Sequence, residues 1–366
     1  MKLISIIEYF SEIEDPRRDG YAKRHKLIDV ITIAVCAIIC RCDNWEDVED
    51  FGCAREEWFE GFLELPSGIP SHDTFNRIFS SIKPEQFEKC FNTWTKDICQ
   101  LTKGEVVAID GKTVRRSFEN QGEKAIHIVS AWASQNEMVL GQVKVDEKSN
   151  EIKAIPELLE LLNLKGTIIT IDAMGCQKEI AQKIIEKQAD YVLALKGNQG
   201  GLLEDVKPYF EENLKDHNYY ETIEKNHGRI ETRKCWAISN VDWIGKHRNW
   251  SNLKTIAMIE AKRETNQGIT SDRRYYISSL EADSKKILAA SRAHWGIENS
   301  LHWVLDMTFN EDRSRIRKDY GAQNFALLRK AALNLLKRVK DKRSLSRRRF
   351  MASLDLPYLL NILEMA

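Results

Sequence analysis

Two aspartates in this 366-residue chain stand where a run of apolar residues gives out. The first is Asp110, after Val106-Val107-Ala108-Ile109 and before Gly111-Lys112-Thr113. The second is Asp172, after Thr167-Ile168-Ile169-Thr170-Ile171. Each run reads as a short strand buried on both faces, where a charge is tolerated only as the strand leaves the core. A single Asp at such an exit is more often a turn former than a functional group. The recurrence changes the reading, because two parallel neighbouring strands ~4.8 Å apart would deliver both carboxylates side by side. Carboxylates so close repel unless a cation lies between them or one is protonated. Oxygen donors without Cys or His favour Mg²⁺ or Mn²⁺.

Glu298 is the candidate third carboxylate. In the helix expected from Asp283 to Leu305, Ile297 and Leu301 share an apolar line with Leu305. Beside it runs His294-Glu298-His302 at four-residue spacing. A polar line next to a core-facing line looks into the boundary of the core, where clefts form. Glu311 and Asp312 are the alternatives. The same line could in geometry hold zinc, but it lacks the H-E-x-x-H spacing. His302 is expected to support the site by contacting phosphate or Glu298. Trp295 and Trp303 read as core residues rather than as a base-stacking platform.

The elements that must position these groups follow from texture. Residues 1–100 read as an all-helical module. It has apolar helices over Leu27–Cys40 and Trp45–Phe62, a Ser71-His72-Asp73-Thr74 cap before Phe75–Ile82, and a further helix from Pro84 to Leu101. Such helices suit a helix-turn-helix-like DNA reader or a plain bundle equally. From Glu105 the texture is strand, strand, strand, then helix, strand, helix, strand, ending in Asp190–Leu195 and Lys196-Gly197-Asn198. Residues 219–280 are β-rich and read as an insertion, because helical texture resumes at Asp283. Residues 341–366 read as a basic tail.

Composition excludes several classes. Hydrophobic content of 43% and charged content of 30% are ordinary for a globular protein. No apolar run approaches the ~20 residues that span a bilayer, and Met1–Phe10 lacks signal-peptide character, so a cytoplasmic protein is expected. Eight cysteines are too few for a disulfide scaffold, and Cys36, Cys40 and Cys42 match no usual zinc spacing. The net charge of zero hides 14 Lys/Arg against two Asp between Arg313 and Arg349. That is the footprint expected for a polyanion partner, or else a solvated helix face.

Taken together, AIDGKT around Asp110, TIITIDAMGCQ around Asp172, ADYVLALKGNQ and HWGIENSLHWVLDMTFNEDRSR resemble the DDE transposases. The likeness is to the H-repeat-associated, or ISAs-type, transposases of bacterial insertion sequences. DPRR, RHKL and PSHDTFNRIF resemble that family's N-terminal associated domain, so the resemblance spans nearly the whole chain. It implies an α/β fold: a ribonuclease-H-like core over 101–340, carrying the β insertion and preceded by a helical domain that binds DNA ends. It implies Asp110, Asp172 and Glu298 as the metal-binding triad, with two Mg²⁺ or Mn²⁺ ions. The related signature Tyr-x2-Arg-x3-Glu-x6-Lys is only partly met, since Ser291, His294 and Leu305 stand at its other positions. The implied partner is double-stranded DNA, both element ends and target, bound by a homodimer or higher oligomer in the nucleoid. Candidate DNA contacts are Lys112, Arg115, Arg116, Lys196, Asn198, His294, His302, Arg313 and Arg315. Lys112 to Arg116 are as readily the solvated end of a strand. A decayed DNA-binding copy and a structure-specific nuclease on the same fold are the alternative functions.

Overall fold

The computed structural model describes residues 5–18, 23–118, 124–145, 150–212, 218–226, 228–247 and 249–364. The N-terminal part is helical, with α1 (Ser5–Phe10), α2 (Leu27–Ile39), α3 (Trp45–Ala54), α4 (Glu56–Glu60), α5 (His72–Ser81) and α6 (Pro84–Ile98). The local causes are those the sequence advertises. Asn44 caps α3 by accepting the Asp47 N–H, Ser71 caps α5 through Thr74, and Pro84 occupies the first turn of α6, where no N–H is needed. The helix expected over Trp45–Phe62 is broken at Arg55, whose φ of −127° leaves the helical region.

A sheet follows, built from β1 (Val106–Thr113), β2 (His127–Ala133), β3 (Met138–Val145), β4 (Ile168–Ile171) and β5 (Asp190–Leu195). Helix α7 (Glu151–Leu161) precedes β4 and α8 (Lys178–Glu186) precedes β5. β1 is parallel to β4, and β4 to β5, while β2 and β3 run antiparallel on the other side. This β3-β2-β1-β4-β5 order, with helices at both crossovers, is a ribonuclease-H-like core. After α9 (Gly200–Glu212) come β6 (Asn218–Asn226), β7 (Arg229–Ile238), β8 (Thr255–Thr265) and β9 (Gly268–Ser278). The insertion does not stand apart. β9 pairs antiparallel with β5, so the meander extends the same sheet to nine strands.

One face of the sheet buries Val107, Ile109, Ile169, Ile171, Tyr191 and Leu193 against α7, α8 and α9. On the other face lies α10 (Ser284–Ile297), which packs across β1 and β4. It leads through a π-helical turn (Glu298–His302) into α11 (Trp303–Thr308). The chain ends in α12 (Gly321–Arg338), α13 (Leu345–Leu354) and α14 (Leu356–Glu364). These last helices share one core with α1 to α6, through residues such as Phe325, Leu328, Leu336, Ala352, Leu359 and Ile362. The expected basic tail is thus two packed helices, because its apolar residues fall at helical spacing and close the N-terminal bundle. Among the described residues, no helix is long and apolar enough to cross a membrane.

Candidate active site

β1 does not end at Asp110. It runs on to Thr113 because β2 keeps pairing with it, Asp110 opposite Ser130 and Thr113 opposite His127. What stops is the pairing with β4, whose last register pair is Ile109 with Ile171. Asp110 and Asp172 are therefore each one residue beyond that pair, on neighbouring strands. The carboxyl edge of an α/β sheet is where such folds place their ligands. Asp172 is also a turn former: its Oδ1 accepts the backbone N–H groups of Met174 at 2.9 Å and Gly175 at 3.3 Å.

Glu298 opens the π turn rather than sitting within one continuous α-helix. Such single wide turns recur at functional sites, where they re-aim a side chain. The turn sends His302 inward, 6% exposed, and leaves Glu298 at the mouth of the site. Ligand atoms of Asp110, Glu298 and His302 all lie within 4.8 Å of one another. His302 Nδ1 is 3.5 Å from both Asp110 Oδ2 and Glu298 Oε2. Burial, reinforced by Lys330 and Lys112, holds the imidazole down to about 4, so it meets the carboxylates as a neutral ring. Asp110 moves the opposite way. Burial and the adjacent Glu298 carboxylate push it up to about 8. Crowded carboxylates joined by an imidazole, with no thiolate among them, suit a hard divalent cation, whose charge relieves the repulsion.

A cavity of about 600 Å³ opens beside this cluster and includes Asp110, Asp172 and Glu298 in its wall. Lys196, one residue past the end of β5, lines it. So do three cations that local texture did not single out: Lys207 on α9, and Arg273 and Arg274 on β9. Only the placement of β9 beside β5 brings these together. Arg274 lies over the Trp295 ring, 5.3 Å from its centroid. Trp295 and Trp303 are 48% and 59% exposed, so neither is the core residue expected. The reason is rotational: Ile297 and Leu301 take the buried side of the helix and turn both indoles outward.

The other expected contacts divide. His294 is held by Thr170, Nδ1 to Oγ1 at 3.2 Å, and burial lowers its basicity. Asn198 donates its side-chain N–H to the Ala173 carbonyl, which ties the β5 exit to the β4 exit. Arg115 and Arg116 are exposed past the end of β1. Lys112 is not free for DNA: its side chain is 13% exposed, and Nζ donates to Asp306 at 2.7 Å and Glu311 at 2.8 Å. That pairing also removes Glu311 from contention as third carboxylate, since it is 1% exposed. Arg313 and Arg315 line a separate cleft with Asp43 and Asp47. A Cβ on Gly111 would fall 2.2 Å from the Glu151 carboxylate and 2.4 Å from the His127 ring, so a side chain there would have to displace them. These two are hydrogen-bonded partners on the opposite face of β1.

Comparisons with known proteins identify the family. The family model described as "Transposase DDE domain" matches residues 101–335, and the one described as "DDE_Tnp_1-associated" matches residues 7–95. "Putative transposase YncI" of Escherichia coli O157:H7 is 45% identical over 99% of this chain and 95% of its own. "H repeat-associated putative transposase YhhI" of Escherichia coli K12 is 40% identical over 99% and 98%. A cryo-EM structure of a piggyBac transposase synaptic complex with hairpin DNA aligns with TM-score 0.44 and 12% identity. It covers 99% of this chain and 78% of that one, too distant a likeness to argue from. The family models and the two near-full-length relatives place this chain among the DDE transposases, in the company of the H-repeat-associated proteins.

Proposed function

We propose that this chain is an active DNA transposase, which cleaves at the terminal inverted repeats of an insertion sequence and transfers the freed strand into target DNA. The observation that carries the reading is the register of β1 and β4. It sets Asp110 and Asp172 side by side at the sheet edge, under a helix that brings Glu298 to the same cavity. Asp110, Asp172 and Glu298 would hold the Mg²⁺ or Mn²⁺ ions, two in number. When bound, these supply charge stabilisation to the attacking and leaving oxygens of an in-line displacement at phosphorus.

The chain's own residues supply position. Asp110 is fixed by the β1–β2 pairing and Asp172 by its turn, so two donors are in place before any substrate arrives. Lys196 and Lys207 line the cavity, together with Arg273 and Arg274, which are paired with Glu260 and Asp272, and these cations suit a phosphodiester backbone entering it. Exposed Trp295 offers a stacking surface at the cavity wall. Water first displaces one strand to free a 3′-OH, and that hydroxyl then attacks target DNA. One site serves both steps, because both are the same displacement at phosphorus. The two element ends must be held together, so the working unit is a homodimer or higher oligomer on DNA. The N-terminal helices contribute end binding.

The deciding experiment uses labelled duplexes carrying the element's own ends. The wild type is expected to give Mg²⁺- or Mn²⁺-dependent nicks with 3′-OH termini, and joined products with a second DNA. Asp110→Asn, Asp172→Asn and Glu298→Gln should each bind the duplex and yield neither product. Cleavage retained by any of them removes that residue from the triad, and cleavage without joining reduces the protein to a nuclease.

A further inference from the structure

The cluster around Lys112 is unused by the chemistry above. Ala108, Asp110 and Lys112 alternate along β1 and share the face turned toward α10 and α12. Two residues past the first carboxylate, Lys112 reaches across to Asp306 Oδ1 at 2.7 Å and Glu311 Oε2 at 2.8 Å. Asp306 lies on α11, directly after the π turn that carries Glu298 and His302. Glu311 is fully buried just beyond and faces Arg329 of α12 at 3.9 Å. The segment holding Glu298 is therefore fixed at one end by the packing of α10 on β1 and β4. At the other end it is tied back to β1 by Lys112. Between these anchors lie the π turn and the first residues of α11, with Leu301 and Leu305 packed into the core behind them.

We infer that Lys112 is a positioning residue, which sets the height of the Glu298 carboxylate over Asp110 by tying the far end of its helix to the strand that carries Asp110. His302, 3.5 Å from both carboxylates, is the spacer in that arrangement. A stability role alone explains it poorly. A buried lysine between carboxylates must be desolvated, and apolar replacements of such groups are often as stable, whereas an ion pair fixes one geometry. The inference rests on Asp110 and Glu298 being metal ligands, and the experiment separates the two claims.

Full-length Lys112→Met, Lys112→Arg and Asp306→Asn are compared with wild type by titrating Mn²⁺ alone and following free Mn²⁺ by electron paramagnetic resonance. The Mn²⁺ dose response of end cleavage is measured in parallel, and DNA binding is measured in EDTA. Supporting residues behind metal ligands typically alter affinity about ten- to a hundredfold. Lys112→Met should raise the half-saturating Mn²⁺ by that order in both titrations and leave DNA binding in EDTA unchanged. Lys112→Arg should recover most of the loss, and Asp306→Asn should shift in the same direction by less. An unchanged Mn²⁺ titration in Lys112→Met overturns the inference. If that variant does not fold, an unchanged titration in Asp306→Asn overturns it instead. A wild type that binds no Mn²⁺ removable by Asp110→Asn sinks the metal-ligand reading itself, a result distinct from either.

Discussion

The carboxylate cluster should make the metal-free protein less stable than a variant that cannot use the metal. Asp110→Asn is the perturbation. In the folded chain Asp110 titrates at about 8 rather than at the ordinary 3.8, through burial and the nearby Glu298. For an acid with a raised folded pKa, the folded state holds a proton that the unfolded state has released. Stability is thus full below about 4, falls as pH rises through the interval between the two values, and is lowest above about 8. The electrostatic part can be sized from the geometry. Unit charges at the 4.8 Å limit of the cluster repel by about 3 kcal/mol at an effective dielectric of 20. Glu298 is 49% exposed at its side chain and can swing away, so about 1–3 kcal/mol should survive. In EDTA at pH 7.5, Asp110→Asn should therefore melt a few degrees above wild type by differential scanning calorimetry. At about pH 4, where the unfolded chain also begins to keep that proton, the gap should close. Saturating Mg²⁺ should raise the wild type, by mass action on the folded state, and not the variant. An Asp110→Asn midpoint at or below wild type in EDTA at pH 7.5, or a gap that persists undiminished at about pH 4, would refute the account of a crowded carboxylate pair.

Two further outcomes follow from the buried and exposed cations. Arg349 is 1% exposed, donates to Asp43 Oδ1 at 2.8 Å and to the Ile38 carbonyl, and lies over Phe309 at 4.2 Å. Arg349→Met should lower stability by about 3–5 kcal/mol, because it strands Asp43 and a buried carbonyl. Asp43→Asn in the same chain should return part of that, and a loss under about 1 kcal/mol in urea unfolding would show that α13 is not locked to the N-terminal bundle. At the cavity, Lys196→Ala and Arg274→Ala should each weaken end-DNA binding and reduce the slope of log affinity against log salt by about one. Fluorescence anisotropy across a KCl series measures it, and slopes identical to wild type would place the DNA elsewhere.

How far the sequence reaches depends on the range of the contact that decides each feature. Asp110 and Asp172 are legible because burial on both faces is a local property, written in runs of Val, Ile and Ala. That β1 continues beyond Asp110 is not legible, since it depends on β2 pairing past the point where β4 stops. Glu298 is legible from four-residue spacing, yet nothing in Gly296-Ile297-Glu298-Asn299-Ser300 announces a π turn. Charge is legible only in part. Fourteen cations between Arg313 and Arg349 look like a footprint for a polyanion, but Arg329, Lys330 and Arg349 are at most 3% exposed. Their partners, Glu311, Ser130, Gln142 and Asp43, lie on other elements. Asp43, in the acidic stretch, and Arg349, in the basic one, form one partly buried ion pair across 306 residues. Charge counted along the chain therefore overstates what is left for DNA. The cations that do line the cavity, Lys196, Lys207, Arg273 and Arg274, come from parts of the sequence with no basic excess worth remarking. They are gathered by the sheet order, because β9 returns to the edge of β5 and carries its arginines to the side of the cavity opposite Asp110.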